Sequence, residues 1–246
     1  MLAPLLFVFL SQVLLSSAKL PKPVKLCKND DSFNDCVIKQ SHDVIQASIN
    51  GIPKYGIPAF DPLHIDKIEQ FEGGSKSITM NLTMEDINVY GLGQAELVHA
   101  EHNTPEKYLK LTFHFPHCKF ISKYDLVGKF LVIPVTGKGK ATMTLDDVTT
   151  DFIYHYKLID KNGSKYVTSV PPVHFTTEPK NASINFENLF NGNKALGDAA
   201  NKMMTENWRE FKRQMGKGFE EAIGGMANIM LDRIVGHTPY SELFLK

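Results

Sequence analysis

The chain has 246 residues, of which 43% are hydrophobic, and its 27 basic and 27 acidic side chains balance at a pI near 7.1. This balance provides no net field to attract nucleic acid or an anionic membrane surface, so neither is expected as a partner. The length and the apolar content indicate one globular domain.

The first 18 residues differ from the rest of the chain. Leu2 to Leu15 form an apolar run too short to cross a bilayer comfortably, and Ser16-Ser17-Ala18 provides small residues for cleavage. The sequence therefore predicts a signal peptide over residues 1–18, secretion, and a single mature domain over residues 19–246. An uncleaved membrane anchor is the alternative, and the shortness of the run argues against it.

Secretion permits disulfide bonds. Cys27 and Cys36 are close enough in sequence to close a small loop, and we predict that they pair. Cys118 is left over, and its position between Phe115 and Phe120 indicates a buried thiol rather than the alternative, a covalent dimer.

Asn-X-Ser/Thr acceptor sequences occur at Asn81, Asn162 and Asn181. Because the chain is expected to be secreted, we predict that these asparagines are glycosylated and lie on the surface.

The first predicted element of the domain is a short amphipathic helix. Asp30, Asp31 and Ser32 can cap its start, and Asn50-Gly51 can end it. The following segment, residues 51–63, contains three prolines and is expected to be ordered but irregular.

From Ser75 onward the apolar period changes from 3.6 to 2, which predicts long antiparallel strands. Met80, Leu82 and Met84 share one face of the first such strand, and the sequon residue Asn81 falls on the other. Ile87 and Val89 have the opposite parity, which predicts a bulge near Glu85-Asp86.

Further strands follow up to about Phe186. Residues 130–135 are apolar at successive positions, which favours a strand covered on both faces. Gly137-Lys138-Gly139 indicates a turn or bulge, and Asn162-Gly163 indicates a tight hairpin.

The longest pattern runs from Asn193 to Val235, where apolar residues recur every three or four positions without a proline. It predicts one α-helix of roughly 60 Å. Charged residues on the other faces exclude a bilayer span, and glycines at 216, 218, 224 and 225 argue against a coiled coil. The remaining possibility is an α+β fold in which a long, curved antiparallel sheet rolls around the helix, with the glycines allowing close backbone approach.

Sequence signatures of catalysis are absent from the chain. It has no Gly-X-Ser-X-Gly elbow, His-Glu-X-X-His or Cys-X-X-Cys motif, and no complete phosphate loop. His99 and His102, like His114 and His117, are three apart, which on a strand points the side chains to opposite faces. We therefore expect hydrogen-bonded histidines, no metal or cofactor, and no enzymatic activity.

Methionine and aromatic residues dominate the predicted inward faces. Such side chains adapt to variable apolar shapes, and a sheet rolled around one helix need not be filled completely. We predict an apolar tunnel that binds a small hydrophobic ligand. Its predicted wall consists of Met80, Leu82, Met84, Phe113, Phe130, Tyr154 and Tyr156 on strands, and of Met203, Trp208, Phe211 and Met215 on the helix.

Several motifs together resemble the insect takeout and juvenile-hormone-binding proteins. They are Cys27 to Cys36 before a helix, Gly51-Ile-Pro with Gly56-Ile-Pro and Asp61-Pro-Leu-His-Ile, Tyr124-Asp-Leu-Val-Gly-Lys with Pro134-Val-Thr-Gly-Lys-Gly-Lys, and Asn188-Leu-Phe-Asn-Gly with Asn207-Trp208. The resemblance spans essentially the whole mature chain. It implies a curved sheet around a long carboxy-terminal helix, a lipophilic ligand in a hydrophobic tunnel, secretion, and links to feeding, circadian output or chemosensation. The hormone-binding branch usually has a second disulfide, so the unpaired Cys118 favours the takeout branch.

The resulting hypothesis is a secreted carrier of a terpenoid, fatty acid or quinone-like lipid. One alternative is a recognition module with a packed tube and an exposed apolar patch near Tyr55 to Phe60 or Tyr240 to Phe244. An extracellular enzyme for a lipophilic substrate is a further alternative, which requires a histidine and an acid or nucleophile to meet inside the tube.

Overall fold

The computed structural model describes residues 20–75, 78–131, 133–172 and 174–245. The predicted signal peptide therefore lies outside the described residues. The elements, in chain order, are β1 (Cys27–Lys28), α1 (Phe33–Ser48), β2 (Leu63–Ser75), β3 (Ile78–Tyr90), β4 (Glu96–Asn103), β5 (Tyr108–Phe130), β6 (Ile133–Lys161), β7 (Ser164–Ser169), β8 (His174–Phe186), α2 (Lys194–Glu206), α3 (Trp208–Val235) and β9 (Phe244–Leu245).

Seven strands form one antiparallel sheet, and five of them follow the order β2-β3-β5-β6-β7. The strands β5 and β6 are 23 and 29 residues long and pair along almost their whole length. On the edge of β5 that faces away from β6, β3 and β4 pair with successive parts of the strand. On the edge of β6 that faces away from β5, β7 and β8 do the same. This central hairpin is therefore the frame to which the other strands attach.

The sheet curves around α3. This helix packs against β2 at one end of the strand order and also against β7 and β8 at the other end. Contact with both ends requires the sheet to roll around the helix, as the sequence predicts. The fold is therefore the expected α+β arrangement.

The first strand of the alternating pattern has the predicted faces. Met80, Leu82 and Met84 are buried, and Asn81 is exposed. The pairing register of β3 with β5 shifts by one residue between Glu85 and Asn88, which confirms the predicted bulge. Because of this shift, apolar residues on both sides of the bulge reach the interior.

The apolar stretch of residues 130–135 forms a hairpin rather than the predicted doubly covered strand. Phe130 ends β5 and pairs directly with Ile133 at the start of β6, and Leu131 between them has a φ of 54°. Tight hairpins need positive φ, which usually calls for Asn or Gly, so a leucine there provides no turn signal. The predicted hairpin at Asn162-Gly163 is confirmed, with positive φ at both residues.

Gly137 and Gly139 lie within β6 and not in a turn, contrary to prediction. A Cβ on Gly137 would lie 2.6 Å from the Tyr124 hydroxyl and 2.9 Å from the Cα of Leu189, and one on Gly139 would lie 2.7 Å from the carbonyl oxygen of Glu187. These glycines allow the segment after β8 to cross close to the strand.

The carboxy-terminal helical region is two helices, not one. Asn207, with φ of −111° and ψ of 33°, separates α2 from α3, and its side-chain amide donates to the carbonyl of Met203. This local hydrogen bond competes with helix continuation. Leu196, which the helical pattern assigns to the buried stripe, is 52% exposed.

The helix glycines do not all serve the predicted close approach. A Cβ on Gly225 would meet nothing within 4 Å, and one on Gly216 would meet only the Lys212 side chain at 3.2 Å. These two glycines are therefore not required for close backbone packing.

The two termini of the described chain meet. The predicted disulfide between Cys27 and Cys36 is present and joins β1 to α1. β1 in turn pairs in parallel with β9. The amino-terminal segment, α1 and the carboxy-terminal segment thus form one covering layer over β4, against which α1 packs.

Candidate functional site

An apolar cavity of about 290 Å³ lies between this covering layer, the sheet and the last turns of α3. We call it the large cavity. Its walls are formed by Leu20, Val24, Leu26, Phe33, Val37, Val44 and Ile45 of the amino-terminal region, Leu97, Leu109, Leu111, Phe113, Tyr154, Tyr156 and Val167 of the sheet, and Leu231, Ile234, Val235, Tyr240, Leu243 and Phe244 of the carboxy-terminal region.

The sheet wall follows directly from strand alternation. Leu109, Leu111 and Phe113 are alternate residues of β5, and Tyr154 and Tyr156 are alternate residues of β6. Leu109 is the register partner of Tyr154, so the two rows lie side by side on one face. This face is apolar because apolar or aromatic residues occupy every second position of both strands in this region.

The covering layer is held by polar contacts at its rim. Gln40 on α1 accepts a hydrogen bond from the Lys25 backbone at 2.7 Å and donates to the Lys25 carbonyl at 3.0 Å. Together with the Cys27–Cys36 disulfide and the β1–β9 pairing, these bonds fix the amino-terminal segment across the cavity.

A small polar network borders the large cavity. The Nε2 atom of His102 lies 2.8 Å from the hydroxyl of Tyr156, which lies 3.4 Å from the hydroxyl of Tyr240. The Nδ1 atom of His102 lies 2.7 Å from the side-chain oxygen of Asn29. Burial lowers the pKa of His102 and raises the pKa of Tyr156, so both side chains are neutral at pH 7. The resulting network offers uncharged hydrogen-bonding groups.

A carboxylate anchors the end of α3 to the sheet beside this cavity. Asp232 accepts hydrogen bonds from the hydroxyl of Tyr154, from the backbone N–H of Ser169 at 3.0 Å and from the Ser169 hydroxyl at 2.6 Å. Burial, and then the adjacent carboxylate, raise the pKa of Tyr154. The tyrosine is thereby held in its donor form.

A second cavity, of about 90 Å³, lies farther toward the start of α3. We call it the small cavity. It is lined by Phe120, Met143, Leu145, Ala182 and Ile184 of the sheet and by Trp208, Phe211, Met215, Phe219 and Ile223 of α3, with Thr177, Pro179, Lys212, Gly216 and Glu220 completing the wall.

The residues predicted to line one tunnel fall into three groups. Phe113, Tyr154 and Tyr156 line the large cavity, and Trp208, Phe211 and Met215 line the small one. The remaining strand residues, Met80, Leu82, Met84 and Phe130, are almost completely buried within the main apolar core, and Met203 packs against that core while partly exposed. The structure thus distributes these side chains between two spaces and a packed region.

The prediction did not include the covering residues of the large cavity. Val44 on α1, Leu231 and Val235 on α3, and Tyr240 and Phe244 near the end of the chain all contribute to the wall. A signal was present in the apolar stretch from Tyr240 to Phe244. Nothing in one sequence indicates that it meets α1, about 200 residues away.

The other candidate groups lie away from the cavities. His114 and His117 bond to Asp147 and Asp146 at 2.8 Å and 2.6 Å, in contacts where the histidine side chains are 31% and 51% exposed. Cys118 is buried as predicted, and burial raises its pKa to about 12. Over the described part of the chain, no cluster of three or more histidine, cysteine or acidic residues could hold a metal ion.

The large apolar side chains of the two surface segments considered for recognition are at least partly buried. Ile57 is buried, and Tyr55, Phe60, Tyr240 and Phe244 are partly buried. The sequon residues Asn81, Asn162 and Asn181 are exposed. Within the four described ranges, no helix is both long enough and apolar enough to cross a membrane.

Comparison with known proteins identifies relatives along almost the entire chain. A family model described as haemolymph juvenile hormone binding protein matches residues 5–245. The circadian clock-controlled protein daywake of Drosophila melanogaster is 28% identical over 237 residues, which cover 94% of this chain and 90% of that protein. Its counterpart from Drosophila yakuba is 26% identical, with 93% and 90% covered. The crystal structure of Epiphyas postvittana Takeout 1 matches with a TM-score of 0.79 and 22% identity, covering 91% of this chain and all of that one.

Proposed function

The chain belongs to the haemolymph juvenile hormone binding protein family, and from this premise we propose that it is a secreted carrier that holds a small lipophilic molecule in the large cavity. The ligand classes that fit this role are a terpenoid, a fatty acid or a quinone-like lipid. The observation that carries the proposal is the apolar space of about 290 Å³ that lies beside α3.

The physical basis of binding is the transfer of apolar ligand surface out of water, which contributes about 25 cal/mol per Å². A preformed cavity reduces the ordering cost that otherwise subtracts from this gain. The side chains of His102, Tyr156 and Tyr240 can orient one polar group of the ligand through hydrogen bonds. Reversible binding of this kind requires no catalysis.

The proposal includes cleavage of residues 1–18, a single mature domain over residues 19–246, and glycosylation at Asn81, Asn162 and Asn181. A disulfide and exposed sequons are compatible with an extracellular protein. The printed names of the daywake relatives include circadian clock control. We extend this to the chain as a proposed link to clock-controlled signalling by its ligand.

The direct test is to express the full chain in insect cells, collect it from the culture medium and record a native mass spectrum. The expected result is a polypeptide that begins near residue 19 and carries one small apolar molecule, which solvent extraction releases for identification. Retention of the whole chain in the cells would contradict secretion, and an extract without apolar molecules leads to the following binding test.

The binding test is a fluorescence titration of delipidated protein with the apolar probe N-phenyl-1-naphthylamine. Val44→Phe places a larger side chain into the large cavity and should reduce binding of the probe at least tenfold. Ala182→Leu fills the small cavity and serves as the matched control, with binding unchanged. Equal binding by wild type and Val44→Phe would overturn the assignment of the ligand to the large cavity.

A further inference from the structure

The small cavity has its own wall and its own charged groups. None of its lining residues is shared with the large cavity. What it binds can therefore be considered independently of the proposed carrier function.

The interior of the small cavity is apolar and adaptable. Phe120 from the sheet and Phe219 from α3 meet edge to face, with ring centroids 6.0 Å apart. Met143 and Met215 contribute flexible thioether side chains, which can adjust to the shape of a guest. The body of a bound molecule must therefore be apolar.

The cavity wall has one basic and one acidic residue, Lys212 and Glu220, and a second acid, Glu178, lies beside the lysine. Lys212 lies 2.6 Å from Glu178 and 3.9 Å from Glu220, so two carboxylates surround one ammonium group. The side chain of Glu178 is 73% exposed, and its pair with Lys212 is therefore weak and largely solvated. Glu220 is the acid that belongs to the cavity wall, and its side chain is only 24% exposed.

Glu220 is fixed in position at the cavity. Its Oε1 atom accepts a hydrogen bond from the backbone N–H of Thr177 at 2.9 Å, which connects α3 to β8. Burial raises the pKa of Glu220, because the charged form is poorly solvated there. A hydrogen-bond donor on a guest molecule would relieve this cost, and a carboxylate on a guest would increase it.

We propose that the small cavity is a second binding site, for a short apolar molecule whose polar end is a hydrogen-bond donor to Glu220, with an alkyl amine bound more tightly than an alcohol and an alkyl carboxylate excluded.

The size of the cavity limits the apolar part of this molecule. An engineered protein cavity of about 150 Å³ holds benzene, with its six carbons. By this comparison, a space of about 90 Å³ accommodates roughly four carbon atoms. Butan-1-amine, butan-1-ol and butanoate are therefore suitable probes, since they share one chain and differ only in the polar end.

The chain contains its own reporter for this site, because Trp208 is its single tryptophan and lines the small cavity. Titration of the full chain with each probe should shift the Trp208 emission at millimolar concentrations of butan-1-amine and at about tenfold higher concentrations of butan-1-ol. Butanoate should cause no shift. Saturation-transfer NMR on the probe protons provides an independent measure of binding.

Substitutions separate the parts of the proposal. Glu220→Gln keeps an oxygen for the Thr177 amide but removes the charge, and should weaken butan-1-amine about tenfold while leaving butan-1-ol nearly unchanged. Lys212→Gln removes the competing ammonium and should bind butan-1-amine at least as tightly as wild type. Ala182→Leu should abolish binding of both probes, whereas Val44→Phe in the large cavity should have no effect on either.

Each result decides the proposal. Binding of butanoate as tight as that of butan-1-amine, or a Glu220→Gln variant with unchanged amine affinity, would overturn the assignment of Glu220. Binding that survives in Ala182→Leu would place the probes elsewhere and overturn the site. Because Val44→Phe tests the large cavity separately, failure here is distinguishable from failure of the carrier proposal.

Discussion

The two ends of the space between the sheet and its helices differ in how they are filled. At one end Met80, Leu82, Phe130 and Met204 are at most 1% exposed and pack into a continuous core. At the other end Tyr154, Tyr156 and Val167 belong to a separate apolar cluster, which borders the large cavity. We refer to these regions as the packed end and the open end.

The difference between the ends does not come from residue type, since aromatic side chains lie on the same strands at both. It comes from what covers them. Phe130 meets Phe211 of α3, with ring centroids 6.2 Å apart. The open end is covered only by the last turns of α3, together with α1 and the two chain segments joined as β1 and β9. Beneath this thin, tethered layer a space of about 290 Å³ remains, whereas only about 90 Å³ remains where α3 lies directly on the sheet.

The largest expected effect is a loss of stability on truncation at the packed end. Phe130→Ala should lower the free energy of unfolding by about 3–5 kcal/mol, because it removes a fully buried ring and leaves a cavity. Phe113→Ala on the same strand borders the large cavity and should cost about 1–2 kcal/mol. Urea denaturation followed by circular dichroism measures both. Equal losses would show that the two ends are packed alike.

The next effect concerns the cover of the open end. Replacing both Cys27 and Cys36 by serine should lower the free energy of unfolding by about 2–3 kcal/mol, since the bond closes a loop between cysteines nine residues apart. The variant should also release a fluorescent apolar probe faster in stopped-flow experiments, because Cys27 lines the large cavity. Unchanged release would show that the disulfide does not control closure of the cavity. Phe130→Ala, at the packed end, is the control for a general loss of stability.

A smaller effect compares one tyrosine hydroxyl from each end. Tyr154 at the open end donates to the carboxylate of Asp232, whereas Tyr124 in the main core donates to the backbone carbonyl of Glu187 at 2.6 Å. Hydrogen bonds to charged groups are stronger, so Tyr154→Phe should cost about 2 kcal/mol and Tyr124→Phe about 1 kcal/mol in urea denaturation. The reverse order would show that Asp232 gains little from this tyrosine.

The smallest effect is a pH dependence located at the open end. Burial holds the pKa of His102 below its ordinary value of 6.5, so the unfolded chain takes up a proton at this residue that the native protein does not. Stability should therefore fall as the pH decreases below 6.5. Glu220 contributes in the opposite direction. Because burial raises its pKa, its contribution to stability increases as the pH falls toward 4.5.

Denaturation series from pH 7.5 to 5.5 test this assignment. His102→Gln cannot titrate and should flatten the decline attributed to His102. His117→Gln, on the outer surface, is the matched control and should leave most of the decline in place. An identical slope in wild type and His102→Gln would refute the assignment.

Much of the fold follows from local patterns in the sequence. The alternation around Met80 and the change of parity at Ile87 predict the strand and its bulge, and Asn162-Gly163 predicts a hairpin by its backbone preference. The turn at Leu131 and the break at Asn207 were missed. In both, the conformation is set by the surrounding strands or by one side-chain hydrogen bond, and not by a residue with a strong preference.

The division of the apolar residues between core and cavity could not be predicted in the same way. Phe113 and Phe130 have the same type, the same strand and the same alternation in sequence. Whether each is packed or borders a space depends on the elements lying over it, which come from distant parts of the chain. Periodicity identifies the inward face of a strand but contains no information on how far the opposite layer stands from it.

The buried thiol of Cys118 has a practical consequence. It is only 4% exposed, and with a pKa of about 12 it is almost entirely protonated at neutral pH, so it escapes oxidants and electrophiles while the sheet stays closed. Alkylation of the Cys118 sulfur therefore reports opening of the sheet around β5. The rate at which iodoacetamide labels the native protein, divided by the rate for the unfolded chain, gives the fraction of time that the sheet is open at this residue, and a ligand that stabilises the closed sheet slows the labelling.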